Sequence, residues 1–222
     1  MKSLSEFLYY HEIGPPDIKI YLGDALEVMP LLPKVDLVVT DPPYGINMDA
    51  ELHNKKGTFG YKDYGDSGNW DSSAPTQEIF NQMRLISKDQ IIWGGNYFAD
   101  KLPVSMGWLV WDKGQRDFSL ADGELAWTSF DQALRIKSYS RSKALQDGKR
   151  HPTQKSLTVM KWSIQQCKYW DTPLAILDPF MGSGTTLVAA KELKRNCIGI
   201  EIHEPYAKIA KTRLQNTIVP FL

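Results

Sequence analysis

Short apolar runs that alternate with helix-like segments constrain the fold of this chain most strongly. The clearest runs are VDLVVT (35–40), QIIWGG (90–95), GWLVWD (107–112), LAILD (174–178) and CIGIEI (197–202). Apolar residues recur at intervals of three and four in 75–87, 153–169, 184–194 and 204–216, which predicts helices there. Because near-continuous apolar strands need cover on both faces, we predict an α/β fold of Rossmann-like type, with a mainly parallel sheet between helices.

Length and composition predict a single domain outside the membrane. The chain has 222 residues, of which 42% are hydrophobic, and it contains no apolar run long enough to span a bilayer. The first twenty residues lack the apolar stretch of a secretory signal, so we expect a cytoplasmic protein. Cys167 and Cys197 lie in apolar segments without metal-like spacing; we interpret both as core residues and expect no metal site.

Charge is segregated along the chain although the formal net charge is zero. Residues 131–155 contain seven Lys or Arg residues and only two Asp residues, Asp131 and Asp147. Clustered positive charge of this kind is the electrostatic signature of nucleic-acid binding, and a solvated surface is the alternative. Within this segment we predict a small target-recognition insertion at about 131–150.

The segment from 46 to 74 shows neither a helix nor a strand pattern, because glycines, serines and scattered aromatic residues interrupt it. Long loops inside compact domains are usually functional or disordered. Since this one directly follows the most informative motif of the chain, we predict a mobile loop that faces the substrate rather than a passive linker.

That motif is Asp41-Pro42-Pro43-Tyr44, which follows the apolar run 35–40. Ligands of open α/β sheets bind beyond the carboxyl ends of strands, so the position suggests a site. An exocyclic base amine is a poor nucleophile, and a carboxylate together with a rigid carbonyl before a proline can accept hydrogen bonds from its two N–H groups. An aromatic ring can stack on a base taken out of a duplex. The alternative is a strand that merely ends in a Pro-Pro turn.

The second motif, DPFMGSGTT (178–186), lies between an apolar run and a helical segment. Its glycines permit close backbone approach to a ligand. Glu201 follows Asp178 by 23 residues at the end of the next run, the spacing at which an acidic residue binds ribose hydroxyls. The pattern indicates adenosine recognition, and because the third glycine of the dinucleotide fingerprint is missing, it does not favour NAD.

Together the two motifs resemble the DNA amino-methyltransferases that modify adenine N6 or cytosine N4, in the β-class order with the catalytic motif first. His151-Pro152-Thr153-Gln154-Lys155 resembles the HPTQKP element of that family, with Ser156 in place of the final proline. The resemblance covers most of the chain. It implies the methyltransferase fold, S-adenosylmethionine as cofactor and double-stranded DNA as partner.

The resemblance also implies roles for individual residues. Asp41, Pro42, Pro43 and Tyr44 would be catalytic. Asp24 would contact the adenine of the cofactor, although a helix N-cap is nearly as good an interpretation. Glu201 would bind the ribose, and Lys155 or Thr153 the cofactor carboxylate, with a phosphate contact as the alternative for Lys155. The remaining cofactor residues would be Asp178, Pro179, Phe180, Gly182, Ser183, Gly184 and Thr185.

DNA contact is predicted for two sets of basic and aromatic residues. They are Phe59, Tyr61, Tyr64 and Trp70 in the long loop, and Arg135, Lys137, Tyr139, Arg141, Lys143, Lys149 and Arg150 in the basic segment.

Adenine N6 is the predicted acceptor, reached by base flipping and direct in-line transfer. Cytosine N4 is the first alternative, although a serine in place of Asp41 is commoner in those enzymes. Cytosine C5 is disfavoured because neither cysteine stands in a Pro-Cys nucleophile setting. An amine in RNA or protein, or a non-catalytic nucleotide-binding module, are more distant alternatives. The sequence leaves the recognition site, a homodimer and a partner restriction enzyme open.

Overall fold

A nine-stranded sheet forms the centre of the computed structural model, which describes residues 2–46, 71–116, 121–146 and 155–219. The strand order is β1-β2-β9-β8-β3-β4-β6-β5-β7. The strands are β1 Leu8–Glu12, β2 Ile18–Leu22, β3 Val35–Thr40, β4 Ser87–Trp93, β5 Leu109–Asp112, β6 Gly123–Thr128, β7 Arg135–Ser138, β8 Ala175–Asp178 and β9 Asn196–Glu201.

The five adjacent strands β2, β9, β8, β3 and β4 run parallel to one another. Strand β1 is antiparallel to β2 at one side of this block, and β6 is antiparallel to β4 at the other. The carboxyl ends of five neighbouring strands therefore meet along one edge of the sheet, which we call the carboxyl edge. This edge is where an open parallel sheet binds its ligands.

Helices cover both faces of the sheet. They are α1 Ala25–Val28, α2 Gln77–Ile86, α3 Arg141–Gln146, α4 Leu157–Gln165, α5 Thr185–Glu192 and α6 Glu204–Asn216. Helices α4, α5 and α6 bury apolar side chains in one hydrophobic cluster, and α1 and α2 contribute to the cluster on the opposite face. A sheet that is buried on both faces explains why its central strands are almost entirely apolar.

The strands β5, β6 and β7 extend the sheet beyond the carboxyl edge. Trp93, the last residue of β4, pairs with Ala126 of β6, and the Gly94 N–H donates to the Leu125 carbonyl at 2.8 Å. Residues of β6 before Leu125 therefore lie beyond the end of β4. These three strands form a wall beside the point where the chain leaves β4.

The predicted mainly parallel α/β fold is confirmed, and all five predicted apolar runs contain strands. The four predicted helices are present, three of them with shorter bounds and the helix at 204–216 with the predicted ones; helix ends are poorly marked in sequence. Cys167 and Cys197 are buried free thiols, as expected. Among the described residues, no helix is both long enough and apolar enough to cross a bilayer.

Candidate active site at the carboxyl edge

Acidic side chains follow four adjacent strands at the carboxyl edge. Asp24 lies two residues after β2, Glu201 and Asp178 end β9 and β8, and Asp41 follows β3. Each is placed by a strand whose register is fixed by its neighbours, with Leu22 beside Glu201 and Asp178 beside Gly199. The sheet thus brings the two sequence motifs to one site.

Direct contact between the two motifs comes from the pairing of β3 with β8. The Thr40 hydroxyl donates to Asp178 Oδ1 at 2.8 Å, and both residues are buried although they are 138 positions apart in the chain. The Phe180 N–H donates to the same oxygen at 3.1 Å. Asp178 therefore holds the start of the glycine turn beside the residue that precedes Asp41.

A buried carboxylate fixes the backbone after Pro43. Asp71, which is 1% exposed, accepts the Tyr44 and Gly45 N–H groups on Oδ1 at 2.7 and 2.9 Å. Gly45 has a φ of +73°, and an added Cβ would lie 2.6 Å from the Ala74 nitrogen, so glycine is needed there. Sequence reasoning missed Asp71 because it lies inside the segment that was assigned as a loop.

The side chains of this motif point into a buried polar cluster. The Tyr44 hydroxyl donates to Asp41 Oδ1 at 2.6 Å, and its ring stacks on Tyr97 with the centroids 4.6 Å apart. Gly94 leaves room for that ring, since an added Cβ would lie 2.1 Å from Tyr44 Cε1. Tyr44 is therefore fixed by Asp41 at its hydroxyl, by Tyr97 on its ring face and by Gly94 beside its ring edge.

Lys155 is the cation of this cluster and is 7% exposed. Its Nζ lies 3.0 Å from Asp41 Oδ2, 2.5 Å from Glu124 Oε2 and 3.0 Å from the Tyr44 hydroxyl. All three contacts lie within ion-pair or hydrogen-bond distance of the Lys155 ammonium. A contact of Lys155 with the cofactor carboxylate or with a phosphate stays a prediction.

The chain places Lys155 at the entrance of α4. Ser156 is the N-cap of that helix, and its hydroxyl accepts the Val159 N–H at 3.4 Å. Serine is a preferred N-cap residue, so its presence where the family element has proline still starts the helix directly after Lys155.

Burial and charge shift the pKa values of the cluster, favouring the charged forms of Lys155 and Glu124 but not that of Asp41. Burial alone would lower the pKa of Lys155, but the Asp41 and Glu124 carboxylates outweigh it and raise that pKa well above its ordinary range. Burial raises the pKa of Asp41 against the opposing effect of Lys155. For Glu124, Lys155 and Lys113 overcome burial and lower the pKa to about 2.

Glu201 has the geometry expected of a ribose ligand. Its carboxylate accepts the Gly182 N–H at 3.0 Å and the His203 N–H at 2.8 Å, one on each oxygen. A carboxylate has about four acceptor positions, so positions remain for hydroxyl donors. Gly182 has a φ of +51°, and an added Cβ would meet nothing within 4 Å, so the turn borders open space. These residues fit an adenosine group.

Buried carboxyl groups on this side of the site have raised pKa values. Burial outweighs the hydrogen bonds from Thr186, Thr40 and Phe180 and raises the pKa of Asp178 to about 6. Burial likewise outweighs the backbone N–H groups of His203 and Gly182 and raises the pKa of Glu201 to about 7. A ligand that donates hydrogen bonds to these carboxylates would stabilise their ionised forms.

Arg213 supports the rest of the glycine turn from α6. One guanidinium nitrogen donates to the Ser183 carbonyl at 2.6 Å, and to the Ser183 and Thr185 hydroxyls at 3.1 Å each. Gly184 has a φ of +80° and packs so closely that an added Cβ would lie 2.7 Å from Ala210 Cβ. Sequence reasoning missed Arg213 because it contacts residues 28 and 30 positions away.

Asp24 is exposed, and its carboxylate accepts the Leu26 N–H at 2.7 Å as the N-cap of α1. The interpretation of Asp24 as a helix N-cap is therefore confirmed. The Gly23 N–H donates to the Glu201 carbonyl at 2.9 Å, so Asp24 also stands next to the ribose-binding candidate.

Some of the predicted DNA-contacting residues lie in the part of the chain that the structure describes, and the others lie outside it. Arg135 and Lys137 lie on the edge strand β7, and Arg141 and Lys143 lie on α3. The Tyr139 ring packs against the hydrophobic core beside them. Outside the described residues lie Phe59, Tyr61, Tyr64, Trp70, Lys149, Arg150 and Thr153, together with His151, Pro152 and Gln154.

The fold and the paired motifs define an S-adenosylmethionine-dependent methyltransferase of the α/β class, and solved structures support this class. A crystal structure of the M1.HpyAVI complex with S-adenosylmethionine is 25% identical, with a TM-score of 0.55 over 89% of this chain and 98% of that one. The cytosine-N4-specific PvuII DNA methyltransferase shares the fold at 16% identity, with a TM-score of 0.53 over 91% and 94%.

The chain belongs to the DNA methylase family. Residues 88–212, which make up more than half of the chain, match that family. The Type II methyltransferase M2.DpnII of Streptococcus pneumoniae is 28% identical over 228 aligned positions, which cover 82% of each chain. The predicted family and fold are thereby confirmed. S-adenosylmethionine is the cofactor of this amino-methyltransferase family and DNA is its substrate.

The raised pKa of Glu201 predicts how stability depends on pH without cofactor. Between its ordinary 4.5 and about 7, the unfolded chain ionises Glu201 while the folded chain keeps the proton, so folding stability falls as the pH rises. Glu201→Gln should gain up to about 3 kcal/mol relative to wild type from pH 4 to pH 8. Urea unfolding across this range measures the difference. Glu78→Gln, at an exposed carboxylate, is the surface control, and an equal pH dependence of wild type and Glu201→Gln would contradict the assignment.

Proposed function

We propose that this protein transfers a methyl group from S-adenosylmethionine to the N6 amine of adenine in DNA, at a short recognition sequence. The observation that carries the proposal is the position of Asp41 on the same sheet edge as Asp178 and Glu201, with Thr40 hydrogen-bonded to Asp178. A candidate amine acceptor and a candidate adenosine site are thus joined by one buried contact.

Asp41 is the residue we assign to the reacting amine. Bound S-adenosylmethionine supplies an electrophilic methyl group on its sulfonium. The Asp41 carboxylate and the Pro42 carbonyl accept hydrogen bonds from the two amine N–H groups, which favours a pyramidal nitrogen with an available lone pair. The nitrogen releases one of these protons after it has gained the methyl group. The carboxylate also stabilises the positive charge that develops on nitrogen as the bond forms. The two prolines hold the carbonyl in one orientation because their φ angles are fixed.

Tyr44 and Tyr97 form an aromatic surface that suits a base taken out of the duplex. Their rings are stacked at an interplanar angle of 13°, and Tyr97 is 45% exposed. Base stacking on aromatic side chains contributes roughly 1–3 kcal/mol per base, which helps to offset the free energy of unpairing. We propose that base flipping brings adenine against this pair, with its amine directed toward Asp41.

Residues of the cofactor half have assigned roles in the same scheme. Glu201 binds the ribose hydroxyls, and Asp24 contacts the adenine ring. The glycine turn from Asp178 to Thr185, which includes Pro179 and Ser183, encloses the methionine part. Thr153 stays a predicted cofactor contact. These groups bind and orient the cofactor, which converts the transfer into a step between pre-aligned atoms.

The DNA-binding face is assigned to β7 and α3, as part of a target-recognition element at about 131–150 within a single methyltransferase domain. Arg135 and Lys143 are exposed there, and the Arg141 side chain is half-buried. The segment 46–74 is proposed as a substrate-facing loop, since Asp71 near its end contacts the Tyr44 backbone. A role in restriction-modification follows from the Type II methyltransferases to which the chain is similar.

Cytosine N4 is the second candidate acceptor, because its exocyclic amine can make the same two hydrogen bonds. A relative of the same fold, the PvuII enzyme, is cytosine-N4-specific. Adenine is favoured because Asp41 occupies the position where cytosine-N4 enzymes more commonly carry serine.

Nucleoside identification tests the proposed function directly. Unmethylated double-stranded DNA incubated with the protein and labelled S-adenosylmethionine, then digested to nucleosides, should yield N6-methyl-2′-deoxyadenosine carrying the label. Label in N4-methyl-2′-deoxycytidine would replace the adenine assignment, and no labelled nucleoside from any DNA would contradict the activity. An equal amount of single-stranded RNA serves as the polymer control.

Phosphate contacts in the basic segment predict a salt-dependent loss of binding. In the double variant Arg141→Gln/Lys143→Gln, the slope of log K against log salt should fall in magnitude by about 2, since each lost phosphate contact removes about 0.9. Affinity should weaken similarly for all sequences. The matched control Lys168→Gln/Lys208→Gln removes two exposed charges elsewhere. Fluorescence anisotropy at several salt concentrations measures both, and an unchanged slope in the first variant would place the DNA contact elsewhere.

A further inference from the structure

Glu124 lies beyond the end of β4 and faces the catalytic candidate. It pairs with Trp111 across β5 and β6, one residue before the Leu125 carbonyl that binds the Gly94 N–H. Its side chain reaches the polar cluster from the wall formed by β5, β6 and β7. No motif identifies it in sequence, where GELAWT is an ordinary half-buried strand.

Two lysines hold the Glu124 carboxylate. Oε2 lies 2.5 Å from the Lys155 ammonium and Oε1 lies 2.8 Å from the Lys113 ammonium. Lys113 in turn lies 5.2 Å from the centroid of the Trp111 ring, which limits its freedom. Both lysines are mostly buried, with side chains 7% and 13% exposed. The Glu124 carboxylate is therefore anchored by the wall and in turn anchors Lys155.

We propose that Glu124 is a positioning residue for methyl transfer, which holds the Lys155 ammonium against Asp41 Oδ2 and the Tyr44 hydroxyl and shares its positive charge with Asp41. The proposal rests on the proposed function, since Asp41 is the residue positioned. Glu124 acts through Lys155 and does not itself contact the base or the cofactor.

Sharing one cation between two carboxylates has a chemical consequence. If Lys155 paired with Asp41 alone, its whole positive charge would offset the Asp41 carboxylate, which would then be a weaker acceptor for an amine that gains positive charge. With Glu124 also bound, the positive charge of Lys155 is divided between two carboxylates. Asp41 keeps its orientation and its acceptor strength for the substrate, and the Glu124 charge raises the pKa of Asp41.

Opposite pKa changes follow from removing each partner. The groups that face Asp41 are Tyr44 from its own turn, Lys155 from the start of α4, Glu124 from β6 with Lys113 behind it, and Asp178 from β8. Glu124→Gln removes a negative charge, so the pKa of Asp41 should fall. Lys155→Met removes the positive charge, so the pKa of Asp41 should rise. If either residue had only a structural role, the pKa of Asp41 would not change in opposite directions in the two variants.

Carboxyl NMR tests the proposal without any methyl transfer. The full chain is labelled with aspartate carrying ¹³C at the carboxyl carbon, and the Asp41 signal is assigned by its loss in Asp41→Asn. The pKa of Asp41 should be lower by about 0.5 to 1 in Glu124→Gln, near wild type in Glu124→Asp, and higher in Lys155→Met. If Lys155→Met does not fold, the pKa of Asp41 in the two Glu124 variants still tests the proposal. An unchanged Asp41 pKa in Glu124→Gln overturns the proposal.

Single-turnover methylation of double-stranded DNA across the same pH range gives the functional readout. Glu124→Gln should transfer methyl groups about ten- to a hundredfold more slowly, with its acid limb at lower pH and its affinity for S-adenosylmethionine unchanged. Glu192→Gln is the matched control, since Glu192 pairs with Lys161 at 2.7 Å at a similar exposure and lies in α5. A Glu124→Gln rate equal to wild type overturns the positioning role. A wild-type protein without methyl transfer contradicts the proposed function itself, whatever the NMR titration shows.

Discussion

The parallel pairing of β3 with β8 is the constraint on which the rest of the site depends. It sets Thr40 against Asp178 at 2.8 Å and so brings the Asp41 turn and the glycine turn to one edge. Neither turn could contact the other through local sequence, because the two strands are far apart in the chain. The apolar residues of both strands are buried among helices on either face, which makes a change of register costly.

Two electrostatic environments lie side by side along that edge. Around Asp41, the buried cation Lys155 shares its charge with Glu124, and the carboxylates are held in an ionic network. Around Asp178 and Glu201, burial dominates, and both pKa values rise toward neutrality. The first environment suits a carboxylate that a buried cation orients before the substrate binds, although burial raises its pKa as well. The second suits carboxylates whose hydrogen-bonding partners arrive with a ligand.

Sequence reasoning predicted the parts of this molecule that depend on local pattern. The central strands were visible because burial on both faces requires continuous apolar runs, and the two motifs were visible because turns need glycine and proline. Strand β7, RIKS, was not predicted because an exposed edge strand has no apolar pattern. Strands β1, β2 and β6 were also not among the predicted runs, although each contains apolar residues.

The contacts that complete the site could not be predicted from the amino-acid sequence. Lys155 lies 111 positions from Tyr44, and Glu124 is a carboxylate in a strand whose burial is set by its neighbours. Asp71 was hidden inside a segment without regular pattern. Each of these residues gains its role only when strands that are remote in sequence become adjacent. The family resemblance implied a cofactor or phosphate contact for Lys155, and the contacts of Lys155 with Asp41 and Glu124 were not anticipated.

The central claim is that Asp41 acts on the reacting amine and not on the cofactor. Its most direct test compares wild type with Asp41→Ala and the isosteric Asp41→Asn, by equilibrium binding of S-adenosylmethionine and by single-turnover methylation of double-stranded DNA. The account predicts cofactor affinity within about twofold of wild type and a transfer rate lower by at least about a hundredfold in both variants. Transfer at the wild-type rate in either variant, or a loss of cofactor binding that accounts for the whole decrease, would contradict it.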